Sequence, residues 1–194
     1  MDRLEQMVLA DHVILEGRFA KSKDPISFQQ RLDLDYQVIQ EGDEWGQTWD
    51  SAWFHLSGKM PNDWTNDEVV AHLDFNGEAL VFSPEGIPLQ GLTNGSVFGR
   101  ITRHNFRLAA PVLKNPQIDL WVEAAANSIM GIHRPRDPER GKNNIEATGD
   151  QVASTAAPLR PGDTISRHGS YRGIVNRMRL ARFKRDLYDF WLDM

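Results

Sequence analysis

Cysteine is absent from the sequence, and with it go disulfide staples, thiolate metal ligands and thiol nucleophiles. A chain of 194 residues can do without cross-links, since one domain of this size buries a full hydrophobic core. Long apolar runs are missing too: nowhere do roughly 18 apolar residues stand together, as a membrane-spanning helix would require. The opening stretch MDRLEQMVLADHVILEG has acidic residues spread through it and no apolar run of signal-peptide length. Positive charge is in deficit, with Lys+Arg 22 against Asp+Glu 27 and a net charge of -5. A nucleic-acid footprint needs a basic face, which this balance does not provide. The expectation is a soluble cytoplasmic protein with neither nucleic acid nor membrane among its partners.

Signatures of self-contained catalysis are equally scarce. No Gly-x-Ser-x-Gly occurs, so nothing marks a nucleophile elbow. Gly141-Lys142 lacks both the earlier glycine and the following Ser or Thr of a phosphate loop. A glycosidase pair needs two carboxyl groups about 5 to 9.5 Å apart. Asp74, Glu78 and Glu123 are the candidates, and their spacing forces no two of them together. Asn94-Gly95-Ser96 fits a glycosylation acceptor pattern, but reads better as turn chemistry.

Aromatic residues and short alternating runs are present. Val69, Ala71, Leu73 and Phe75 alternate with their neighbours, Asn76-Gly77 accepts positive φ, and Leu80-Val81-Phe82 resumes the extended pattern, which predicts a β-hairpin. A second turn follows at Pro84-Glu85-Gly86. Leu32, Leu34, Tyr36 and Val38 alternate with Asp33, Asp35 and Gln37, as in a half-buried strand. Ala52 to Leu56 carries apolar side chains on both faces, as an inner strand would. Ile118, Leu120 and Val122 alternate with Asp119, Trp121 and Glu123. Short strands every ten or so residues, broken by Gly, Pro, Asn and Asp, predict a mainly β fold: an antiparallel β-sandwich, jelly-roll-like.

Residues 1–25 are expected to be helical or irregular, with a short leading helix on Leu4, Met7, Val8 and His12. The sandwich is expected over 26–131. Residues 132–172 form a long polar loop, read as mobile because four prolines and a charge run leave little to bury. In 173–194, Leu180, Phe183, Leu187 and Trp191 fall at helical spacing and predict a C-terminal amphipathic helix.

The ordered series Trp45-Gly46, Trp49, Trp53-Phe54, Pro61, Trp64, Leu73-Asp74-Phe75-Asn76-Gly77-Glu78-Ala79-Leu80-Val81-Phe82, Gly86 and Pro88-Leu89-Gln90-Gly91-Leu92 continues through Glu123 to Asn127 and Met130-Gly131. Leu180 to Phe183 with Asp186-Leu187 and Leu192 closes it. This series resembles the N-terminal ancillary domain of glycoside hydrolase family 38 α-mannosidases of the cytosolic and bacterial type, well over 40–131 and loosely over 173–194. Phe82 stands where that family often has tryptophan, and the polar stretch from Ile132 to His168 looks longer than its usual connection.

The resemblance implies a β-sandwich that precedes a catalytic domain and packs against it. It implies no cofactor in this chain, and a divalent metal, zinc being the expected ion, in the parent's catalytic domain, whose site includes a His-x-Asp pair. His72-Leu73-Asp74 has that letter order, but the family's motif lies further downstream and the remaining ligands are not nearby, so no metal and no catalytic residue is assigned here. The parent would hydrolyse α-mannosidic bonds. Phe183, Leu187, Phe190 and Trp191 are the expected contacts with the catalytic domain of the same polypeptide. Two other readings compete: a carbohydrate-binding module, with Trp64 in its polar turn as the sugar platform, and an oligomerisation scaffold built on further copies of the chain.

Overall fold

The computed structural model describes residues 7–47, 50–64, 67–93, 103–108, 116–126 and 172–192. The strands are β1 (Leu9–Ile14), β2 (Glu16–Ser22), β3 (Gln37–Ile39), β4 (Glu44–Gln47), β5 (Ser51–Lys59), β6 (Val69–Asp74), β7 (Glu78–Phe82), β8 (Pro88–Leu92), β9 (Asn105–Arg107), β10 (Gln117–Ala125), β11 (Arg172–Ile174) and β12 (Arg177–Phe183). The helix α1 spans Arg185–Leu192. Six strands form one sheet in the order β3-β2-β5-β10-β7-β8, four form a second as β1-β12-β6-β9, and β11-β4 make a two-stranded ribbon. Every pairing is antiparallel, and the chain is an antiparallel β-sandwich.

Alternation explains the two faces. On β10, Ile118, Leu120, Val122 and Ala124 point into the core, opposite Ala52, Phe54 and Leu56 of β5 and Val69, Ala71 and Leu73 of β6. Phe54 is fully buried, with the rings of Phe75 at 4.4 Å, Trp45 at 5.4 Å and Phe19 at 5.9 Å. Truncating a phenylalanine so enclosed typically costs about 3 to 5 kcal/mol. The expected inner strand at 52–56 and the alternating strand at 118–122 are therefore both present.

The Asn76-Gly77 turn is not a hairpin. β6 pairs with β12 and β9, whereas β7 pairs with β10 and β8, so this turn carries the chain from one layer to the other. Asn76 takes the positive φ, at 53°, a conformation asparagine tolerates, and its N–H donates to Asp74 Oδ1 at 2.9 Å. The true hairpin is the next one, β7–β8, turning at Gly86 with φ 87°.

Three further expectations are corrected. Met7 and Val8 are helical, but from Leu9 onward the chain is strand, so residues 9–22 are neither helical nor irregular. The expected strand at 32–38 is a 3-10 turn at Gln30–Asp33 followed by the short β3, with Leu32 66% and Val38 71% exposed. Leu180 and Phe183 belong to strand β12, which is inserted between β1 and β6; only Arg185–Leu192 is helical. The polar stretch 132–168, the Asn94-Gly95-Ser96 pattern and Trp49 lie outside the described residues.

Candidate functional site

A cleft of about 410 Å³ opens where the edge of the six-stranded sheet meets the β4–β11 ribbon. Its lining includes Phe19 and Lys21 from β2, Asp35 from the approach to β3, Gln37 from β3 itself, Glu44 and Gln47 from β4, and Arg172 from β11. Alternation on β2 and the pairing Phe19↔Gln37 put Phe19, Lys21 and Gln37 on the inward face of the sheet. Positions that would ordinarily carry core side chains thus carry a lysine and an amide. Phe19 is half-buried and stacks on Phe54. Lys21 Nζ lies 3.3 Å from Asp50 Oδ2, and Arg172 Nη1 is 2.6 Å from Glu44 Oε2.

The outer face of the same sheet carries a second aromatic cluster, Trp53, Phe82 and Trp121, roofed by Ile26, Phe28, Leu34 and Tyr36 of the β2–β3 connection. Trp53 Nε1 donates to the Ile26 carbonyl at 2.8 Å, tying the roof down. Within it Arg31 is 5% exposed, with its guanidinium carbon 3.4 Å from the Phe28 ring centroid and 4.2 Å from that of Trp121. Nη1 donates to the Phe28 carbonyl, while Nε and the Tyr36 hydroxyl have no hydrogen-bond partner. Burial lowers the Arg31 pKa and pushes that of Tyr36 up to about 12. On the same face the His55 ring stacks on Trp121 at 4.2 Å, with Nε2 2.9 Å from Asp119 Oδ1. The half-buried Glu123 is pushed upward in pKa by desolvation.

The third feature is the end of the sandwich where α1 leaves it. The Phe183 N–H donates to the Glu68 carbonyl at 2.7 Å and the Lys184 N–H to the Val8 carbonyl at 2.8 Å. Arg185 Nη2 reaches Glu68 Oε1 at 2.6 Å, and Arg182 pairs with Asp11 and with Asp67. Tyr188 packs on Phe183, with centroids 5.3 Å apart. On this anchored helix Phe190 is 58% exposed and Leu187 half-buried; Met7, 51% exposed, adjoins Val8 at the same end. Trp191 lies within α1, but its side chain falls outside the described residues.

Trp64, the sugar platform of the competing carbohydrate-binding reading, is 4% exposed and part of the core, with the Arg182 guanidinium 5.8 Å from its ring. It offers no free face, because the turn that looks polar in sequence folds its one large apolar ring inward. Trp45, Trp53 and Trp121 are likewise buried. Of the three carboxylates considered for catalysis, Glu78 and Glu123 share the outer face of neighbouring strands one diagonal step apart. Asp74 sits in the other sheet, 2% exposed, its Oδ2 3.6 Å from Nδ1 of the buried His104. The ring of His72 is 6.3 Å from that of His104. Among the described residues no group of three or more His, Cys, Asp or Glu is placed to hold a metal ion. Nor, among them, is any helix long and apolar enough to cross a membrane.

The cleft and Arg31 were not singled out by sequence reasoning. Phe19-Ala20-Lys21 gave one signal, an alternation whose inward side ends in a charge. Arg31 gave none, because its burial depends on rings supplied from β10 and the roof.

A family model described as the jelly roll domain of alpha-mannosidase matches residues 13–147. Alpha-mannosidase 2C1 of Homo sapiens is 30% identical over 106 residues, covering 55% of this chain and 10% of that protein. The Mus musculus protein of the same name is 29% identical over 107 residues. Alpha-mannosidase G of Dictyostelium discoideum is 24% identical over 120 residues, 59% of this chain and 11% of that protein. The chain thus spans about a tenth of the length of the curated relatives it matches.

Proposed function

Since the chain belongs to the alpha-mannosidase jelly roll domain family, we propose that it is the non-catalytic ancillary domain of an α-mannosidase-type glycoside hydrolase, packed against the catalytic domain of the same polypeptide. In this reading the catalytic domain hydrolyses α-mannosidic bonds in the cytoplasm with a divalent metal, zinc being the expected ion. The sandwich supplies a rigid wall that holds that domain in place.

The observation that carries the packing role is Phe190. A large exposed apolar side chain on a mobile tail would mean little, since isolated surface apolar residues are ordinary. Here the helix is fixed to the sandwich through Glu68, Val8 and the Phe183–Tyr188 contact, so Phe190 and Leu187 are presented in a set direction. A preorganised apolar knob of this kind suits an interface, because little side-chain freedom is lost when it is covered. Phe183, Leu187, Phe190 and Trp191 are the proposed contacts.

The test is Phe190→Asp in the full-length hydrolase, read as the half-life of aryl α-mannoside cleavage at elevated temperature. The half-life should shorten severalfold, while the urea midpoint of the 194-residue chain alone stays unchanged. An unaltered half-life, or cleavage of the aryl α-mannoside by this chain by itself, would defeat the reading.

A further inference from the structure

We propose that the cleft between β2–β3 and the β4–β11 ribbon is a binding site for a neutral polyhydroxylated ligand of one or two pyranose rings. This goes beyond the packing role and does not depend on it.

Size comes first. A volume of about 410 Å³ falls in the range of roughly 300 to 1,000 Å³ usual for small-molecule sites. Charge then narrows the class. The lining holds two cations, Lys21 and Arg172, and two carboxylates, Asp35 and Glu44. Each cation already has a partner, in Asp50 and Glu44. Those two pairs cancel and leave the exposed Asp35 as the one uncompensated charge of the described lining. An anion is disfavoured there and an exposed carboxylate holds a cation only weakly, so the cleft suits a ligand that donates and accepts hydrogen bonds without carrying charge. Hydroxyl groups do both, and carboxylate and amide side chains meet vicinal hydroxyls in pairs. Asp35, Gln37 and Gln47 are exposed along the lining, and none of their side chains is committed to another described residue. Phe19 contributes an apolar surface for a ring's C–H face, held in place by its stack on Phe54.

The sequence rule broken at this edge points the same way. Lys21 and Gln37 sit on the inward side of their strands, where alternation calls for apolar side chains. Departures of that kind gather at functional sites, because stability alone would favour a hydrophobe there.

The experiment uses the 194-residue chain, isotopically labelled, titrated with mannose, glucose, an α-linked mannobiose and, as charged probes, inorganic phosphate and choline. Backbone amide shifts are followed. Saturable shifts at Phe19, Gln37 and Gln47 with at least one neutral sugar, at dissociation constants of about a millimolar to tens of millimolar, are expected. Gln37→Ala and Gln47→Ala remove exposed amides, leave the fold intact by circular dichroism, and together should weaken binding about tenfold, equivalent to roughly two hydrogen bonds. Asp35→Asn keeps the shape and should weaken binding less than the double variant. The proposal is overturned if no sugar gives saturable shifts at about 100 mM, if phosphate or choline binds as tightly as the sugars, or if the double variant binds unchanged.

Discussion

Replacing Arg31 by methionine should leave the protein within about 1 kcal/mol of its starting stability, whereas alanine at the same place should cost about 2 to 4 kcal/mol. The arginine is a buried cation, 5% exposed. Among the described residues a carboxylate reaches it only through the longer-range attraction of Asp119. Two ring faces at 3.4 and 4.2 Å stabilise it by about 2 to 4 kcal/mol together when desolvated, and the bond to the Phe28 carbonyl adds about 1.5 to 3 kcal/mol. Against this stand several kcal/mol of desolvation for a buried ion and about 1 to 3 kcal/mol for the unpartnered Nε. The two sides are similar in size, so removing the charge changes little as long as the space stays filled. Methionine fills it and gains sulfur–aromatic contacts with Phe28 and Trp121, each worth about 0.3 to 1.5 kcal/mol. Alanine leaves a hole between the rings. Urea unfolding followed by tryptophan fluorescence gives both values, provided the m-value is unchanged. If methionine costs as much as alanine, the charge itself holds the roof on the sheet and this reasoning is wrong.

Other outcomes follow from the same structure. Tyr36→Phe should be neutral or stabilising at pH 7, as it removes a buried hydroxyl without a partner. Because the folded pKa is raised to about 12 from 10.0, the wild type should lose stability between pH 10 and about 12 as the unfolded chain ionises first, and the variant should lack that loss. Glu123 has its pKa raised by burial, so its contribution is full below the ordinary carboxylate range and lost as the pH rises through the folded value; Glu123→Gln should therefore stabilise at pH 7 and not at pH 3, measured by thermal unfolding. In Gly173→Ala the new Cβ would stand 2.6 Å from Trp45 Cζ2, against a ring held by its bond to the Phe75 carbonyl at 3.0 Å. Overpacking there should cost about 1 to 3 kcal/mol in the urea midpoint, and an unshifted midpoint would show that the ribbon yields.

The central strands were legible because each carries its own evidence. Ala52 to Leu56 is apolar on both sides, and Ile118 to Val122 alternates over a length no turn interrupts. Pairing was not legible, since period two tells which face a side chain takes and says nothing of its neighbour across the ladder. Asn76-Gly77 was therefore read as a hairpin although its flanking strands belong to different layers. The bulge between Ala10 and His12, with Asp11 at φ 41°, breaks the alternation of β1 and let a helical spacing look better. In β12, Met178 and Leu180 alternate with Arg177 and Arg179, but Leu180, Phe183 and Leu187 also satisfy a helix, and only the tertiary partners β1 and β6 decide between them. The cleft was hidden for a related reason: its walls come from residues 19–47 and from Arg172, brought together by a ribbon that no local pattern announces.

The place of β12 between β1 and β6 bears on how the protein is made. Residues 9–14 find their ladder partners at 179–183, so synthesis must pass residue 183 before that layer can close. Until then β6 has an open edge along Val69–Asp74, and Met178 and Leu180, which fill the centre of the sandwich, are missing from it. A nascent chain stalled before Arg177 would hold a half-roofed sheet, the form in which aggregation or chaperone capture is most favoured.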